Sequence, residues 1–153
     1  MSMIHYDIFN GDADGIVSLH QYRMHFPVTR VELVTGVKRD VELLRHMRLV
    51  KHSRLTVFDI SHKTNEAHVQ GILSNNNSIV WFDHHDAGMV YPSNMFRLTF
   101  DTSPTVCTNM LVDSYVDGLY RPWTIVGAFG DNLHEQAAEL NPGFDDIKMC
   151  HLK

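Results

Sequence analysis

The stretch Trp81-Phe82-Asp83-His84-His85-Asp86 constrains this chain more than any other. It closes an apolar run, Ser78-Ile79-Val80-Trp81-Phe82, that reads as a short buried strand. A strand that passes straight into Asp-His-His-Asp sets four metal-competent or acid–base side chains on one lip of a sheet. Side chains alternate faces along a strand, so the two adjacent imidazoles are expected to point apart, one toward an ion and one toward a substrate. A solvated polar turn would explain one isolated His or Asp. It loses force here because three more strand-like runs end in acids.

Those runs emerge when the chain is read in order. Met3 to Phe9 is a first strand, running into Asn10-Gly11-Asp12-Ala13-Asp14-Gly15 and then a helical apolar spacing from Ile16 to Tyr22, closed by Pro27. Arg30 to Val34 is a second strand, and Val41 to Met47 a helix that Asp40 is placed to cap. Arg54 to Phe58 is a third strand ending at Asp59. A polar helix over about 65–73 and the turn Asn75-Asn76-Asn77 lead into the central motif. Met95 to Phe100 is a fifth strand, and Ser103-Pro104 reads as cap and first position of a helix. The apolar segment Trp123 to Phe129 ends in Gly130-Asp131-Asn132. Strands alternating with helices imply crossover connections. The expectation is an α/β fold, an open, mostly parallel five-stranded sheet flanked by helices on both faces.

At 153 residues the chain suits a single domain spanning 1–153. It stops soon after Asn141-Pro142-Gly143 without an obvious closing element, which reads as a domain boundary or a truncation. The net charge of −5 argues against a binder of duplex DNA, which would carry a basic stripe. It leaves room for a nucleotide held through cations. Two cysteines, Cys107 and Cys150, match neither a disulfide framework nor a zinc finger. Asp7 and Asp12 interrupt the N-terminal apolar run, so no signal peptide is read, and no apolar run reaches the roughly 18 residues of a membrane span. These features point to a cytoplasmic protein that does not enter membranes; the oligomeric state carries no signal.

In open parallel sheets, ligands bind outside the carboxyl ends of the strands. Asp12 and Asp14, Asp59, Asp83-His84-His85 and Asp131 all fall at such ends or after an apolar run. Carboxylates with imidazole and no thiolate suit Mn²⁺, Mg²⁺ or related ions better than structural zinc. Asp12 and Asp14, two residues apart in a Gly-flanked loop, could serve two different ions, and a shared carboxylate such as Asp59 could bridge ions about 3.5–4 Å apart. Hydrolysis at phosphorus is the chemistry such a pair supports.

Asp12-Ala13-Asp14-Gly15, Asp59, Asp83-His84-His85 and Gly130-Asp131-Asn132, in this order, resemble the four motifs of the DHH phosphoesterase superfamily, over about residues 3–135. The resemblance implies a divalent-metal-dependent hydrolase of phosphodiester bonds in nucleotides or short single-stranded oligonucleotides. It implies two Mn²⁺ ions, with Mg²⁺ or Co²⁺ as alternatives. Asp12 and Asp59 would hold one; Asp14, Asp59, His84 and Asp131 the other. His85 would contact the scissile phosphate or its leaving oxygen, and Asp83 would orient a neighbouring histidine. Two features depart from the family. Many members have His where this chain has Phe9, and the single-strand exonuclease branch has Asp where it has Asn10. The usual C-terminal substrate-binding domain with its Gly-rich signature does not occur in this sequence. The alternatives are an inorganic pyrophosphatase, which Phe9 weighs against, and a non-catalytic binding or scaffold module.

Further candidates are Asn10 itself, Lys38 and Arg39 after the second strand, and His134, three residues past Asp131. Ser103 and Thr105 are explained by capping and His62 by a surface turn. His5, His20, His25, His46, His52, His68 and His151 form no trusted pair. Trp81, Phe82, Trp123 and Phe129 are assigned to the core, and Cys107 to a small buried position in an apolar helix.

Overall fold

Five runs rich in β-branched and aromatic residues pair side by side: β1 (His5–Asn10), β2 (Val31–Gly36), β3 (Arg54–Phe58), β4 (Ser78–Asp83) and β5 (Phe96–Phe100). The computed structural model describes residues 3–37 and 40–141; Lys38, Arg39 and the tail from Pro142, read above as a boundary, lie outside the described residues. The strand order is β2-β1-β3-β4-β5 and all four pairings are parallel. Among the described residues, five α-helices accompany the sheet: α1 (Ala13–His25), α2 (His62–Ser74), α3 (Thr108–Tyr115), α4 (Arg121–Gly130) and α5 (His134–Glu139). None is long and apolar enough to cross a membrane.

The register decides what each face of the sheet carries. Phe9, Phe58 and Phe82 stand in one row, and with Tyr22 of α1 and Val112 of α3 they form an aromatic cluster under those helices. Ile8, Val57 and Trp81 point the other way and pack with Val69 and Ile72 of α2 and with Leu43, Leu44 and Met47. A sheet buried on both faces needs such continuous apolar strands. Together the two clusters place helices on both sides, with the carboxyl ends of β1, β3 and β4 level at one edge.

Four local expectations give way. Leu43–Met47 is a 3-10 turn rather than a helix from Val41, and no side chain caps it locally. Asp40 instead accepts from Arg45 at 3.1 Å, while the Asn65 side chain reaches across from α2 to take the Leu44 amide at 3.2 Å. Ser103 and Pro104 belong to a turn in which Val106 donates to the Ser103 carbonyl at 3.1 Å; the helix begins only at Thr108, with Cys107 at its cap. Trp123 is not a core residue: the apolar segment before Asp131 is helix α4, and its amphipathic spacing leaves Trp123 41% exposed, edge-on to His20. His62 is no surface residue: it opens α2, buried beside Trp81 with Nδ1 on the Ala87 carbonyl.

Candidate metal centre

The site starts from two close approaches of backbone. A side chain on Gly15 would collide with the backbone of Asn10, so glycine allows the first turn of α1 to fold back against the end of β1. That turn is capped by Asp12, whose Oδ1 accepts from the Gly15 amide at 3.2 Å, and it carries Asp14. Gly130 lies equally tight against Ala13, which brings the end of α4, and with it Asp131, beside Asp14. Helix α4 is pinned from the other side by Asn109, which donates to the Thr124 carbonyl at 2.9 Å and leaves no room for a side chain on Gly127.

Asp14 is buried, and its two oxygens accept from the amides of Thr108 at 2.8 Å and Asn109 at 2.7 Å. These are the first amides of α3, which lack partners within the helix and favour an anion. The helix start is thus set from across the fold, which is why Ser103 and Pro104 do not open it.

Asp59 leaves β3 in the left-handed conformation at φ 56°, a costly state for a residue with a side chain. Its amide still donates to Phe82 at 3.0 Å. One carboxylate oxygen accepts from the Thr108 hydroxyl at 3.2 Å and lies 3.3 Å from His84 Nε2. The other accepts from the Asn10 amide nitrogen at 3.0 Å, and the same nitrogen reaches Asp12 at 3.0 Å. Asn10 here presents its nitrogen, not its oxygen, to the carboxylates.

The two imidazoles do not point apart. β4 ends at Asp83, so strand alternation no longer governs the next residues, and the rings of His84 and His85 lie 4.4 Å apart on the same side. Their outer nitrogens differ in role. His84 Nδ1 donates to the Val106 carbonyl at 3.1 Å, which turns Nε2 toward Asp59 and Asp14. His85 Nδ1 is bound to the buried Asp83 at 2.6 Å, which leaves Nε2 as the nitrogen available to an ion or a substrate.

Two overlapping groups could hold cations: Asp59, His84 and His85, and Asp14, His84 and Asp131, each with ligand atoms within 4.8 Å of one another. Asp12 stands in neither; it caps α1 and sends its charge toward Asp59. Burial and the neighbouring Asp59 push the Asp14 carboxyl up to about 7. Burial likewise raises Asp59, with Asp12 adding to the effect. The hydrogen bond to Asp59 lifts His84 to about 9. Asp131 caps the carboxyl end of α4, where the helix dipole is already negative. A cluster this crowded with negative charge is one that a divalent cation relieves. Its oxygen and imidazole donors fit Mn²⁺ or Mg²⁺. The nearby Cys107 offers no thiolate, because burial holds its proton.

Among the sequence candidates, His134 joins neither group and packs its ring on Phe129 at 5.3 Å. Lys38 and Arg39 lie outside the described residues. Sequence reasoning missed Thr108, whose amide and hydroxyl touch Asp14 and Asp59. Its position just after Cys107 gives no local sign of those partners.

No family model matches this sequence, and neither does any curated protein. Solved structures do. An exonuclease RecJ bound to manganese is 18% identical, with a TM-score of 0.58 over 90% of this chain and 41% of its own. RecJ from Thermus thermophilus in complex with Mn²⁺ is 15% identical, with a TM-score of 0.59 over 90% of this chain and 24% of its own. This chain therefore spans less than half the length of either RecJ chain, and what it shares with them at this identity is the fold.

Proposed function

We propose that this chain is the catalytic portion of a divalent-metal-dependent phosphoesterase, cleaving phosphodiester bonds of nucleotides or short single-stranded oligonucleotides. One observation carries the reading: two carboxylate–imidazole groups that share His84 lie at the carboxyl edge of a parallel sheet. The RecJ folds, solved with manganese, add support. Bound ions would polarise the phosphoryl oxygens and supply a water of lowered pKa.

The protein's own groups divide the remaining work. Asp14, Asp131 and His84 would hold one ion. Asp59 suits a shared position, since one of its oxygens faces His84 and the other faces Asn10 and Asp12. Val106 keeps the His84 lone pair directed inward once Nε2 gives up its proton. His85, held through Nδ1 by Asp83, would donate a proton to the leaving oxygen from Nε2. The pyrophosphatase alternative calls for His at position 9, and Phe9 is instead buried in the aromatic cluster.

The test is Mn²⁺-dependent release of nucleotide or phosphate from a dinucleotide, a short single strand, a cyclic dinucleotide and pyrophosphate. Asp59→Ala runs beside the parent. Hydrolysis of a diester that vanishes in the variant is expected. A parent that neither binds Mn²⁺ nor hydrolyses any of the four overturns the reading.

A further inference from the structure

The opposite edge of the sheet carries a second, unrelated arrangement. On the face that bears Phe9, Phe58 and Phe82, the register aligns His5, Arg54 and Ser78 at the amino edge, and Asp7, Thr56, Val80 and Arg97 in the next row. A sheet face meant for full burial would be apolar there. Helices α1 and α3 cover the phenylalanine row, and beside it His5, Arg54, Thr56, Ser78 and Val80 line a cleft of about 690 Å³. The site carboxylates lie at the other end of strands only five or six residues long, roughly 15–20 Å away at about 3.3 Å per residue.

The cleft is cationic. Arg23 is committed to the buried Asp7, at 2.7 Å, and touches Thr56. Arg54 and Arg97 have no carboxylate partner among the described residues; Arg97 only reaches the Tyr115 hydroxyl at 3.4 Å. Burial, then the charges of Arg23 and Arg54, hold His5 below its ordinary value, with Asp7 opposing them. A shallower hollow that includes Arg97 shares Ser78, Val80 and Met95 with the cleft and continues it along β5.

Its wall on the α1 side is aromatic. Tyr22 and Phe26 both line the cleft, 4.8 Å apart, and Phe26 is 37% exposed. Guanidinium groups without a carboxylate partner, in a cleft that also holds an exposed ring, match a phosphate joined to a planar base. An acidic peptide would use the arginines and leave the rings idle.

We propose that this cleft is a second nucleotide-binding site, with Arg54 and Arg97 on the phosphate and Phe26 on the base. The ligand is a nucleoside monophosphate, either free or as one unit of a single strand. The proposal does not depend on the metal centre.

The experiment titrates the 153-residue chain by calorimetry with adenosine monophosphate and with a short oligoadenylate. Excess chelator keeps the carboxylate edge free of metal. Saturable binding is expected, weakened about tenfold or more by Arg54→Gln with Arg97→Gln, as for loss of a charge-assisted hydrogen bond. Phe26→Ala should weaken it too, Asp59→Ala should not, and ligand should shift the backbone amide resonances of Ser78 and Val80. Equal affinity for both probes identifies a free nucleotide as ligand; preference for the oligonucleotide identifies a strand. Absence of saturable binding, binding indifferent to the arginine variants, or binding lost in Asp59→Ala overturns the proposal.

Discussion

Gly130 stands so close to Ala13 that no Cβ fits between them. This contact joins the end of α4 to the start of α1, and so sets the spacing of Asp131 from Asp14. Gly130→Ala forces the two helices apart at the site itself, where interiors give way only by backbone shift. The variant should fold yet bind Mn²⁺ about tenfold more weakly by calorimetry, a loss near 1.4 kcal/mol. Moving the methyl across, as Ala13→Gly with Gly130→Ala, should restore most of the affinity. If the double variant is as weak as the single one, the contact does not control the site.

Asp59 holds a positive φ that only glycine adopts without cost. Comparing Asp59→Gly with Asp59→Ala isolates that strain, because both remove the carboxylate. In chelator, the glycine variant should be the more stable by about 1 kcal/mol, read from urea unfolding. Both variants should gain less stability from Mn²⁺ than the parent. Equal stability of the two would mean that the turn relaxes and that no strain is held at Asp59.

Strand positions were legible because β3 and β4 are short apolar runs stopped by acids, a signal local to each run; the strand order was not. The ordered acids also marked the edge at which Asp14, Asp59, His84 and Asp131 meet. What was not legible depends on distant partners. The start of α3 is set by a carboxylate more than ninety residues earlier in the chain, and Ser103-Pro104 gave a stronger local signal. The segment before Asp131 is apolar enough for a strand, and only the fit of Gly127 and Gly130 against Asn109 and Ala13 shows why it is a helix. His62 is buried by Trp81 and Ala87, neither of which is near it in sequence.

Removing metal should expose the charge crowding as a pH dependence of stability. Asp14 moves from its ordinary 3.8 up to about 7 on folding. The folded state therefore keeps this proton where the unfolded chain loses it, and stability falls as pH rises between those values. His84, raised from 6.5 to about 9, contributes its full stability below 6.5 and loses it as pH rises through 9. Both act in the same direction, so the melting temperature in chelator should fall steadily from acid to mildly alkaline pH. Mn²⁺ should reverse the fall, and more at about pH 8 than at about pH 6, because protons compete for the same atoms. A Mn²⁺ shift that is flat with pH would place the ion elsewhere.

Asp83 and His85 form the pair whose chemistry is most separable from metal binding. The hydrogen bond to Asp83 raises His85 above its ordinary value, so the ring keeps its proton to higher pH. If His85 donates that proton to the leaving oxygen, the rate declines as pH rises through its pKa. Asp83→Asn withdraws the charge that holds the proton on, which lowers the pKa. The alkaline limb of kcat should then move toward acid, in line with the loss of one adjacent carboxylate. Mn²⁺ affinity should hold steady, since Asp83 belongs to neither ligand group. His85→Gln should depress kcat and remove the limb altogether, with KM little changed. An alkaline limb that stays in place in both variants would assign proton donation to another group and leave His85 as an ion ligand beside Asp59 and His84.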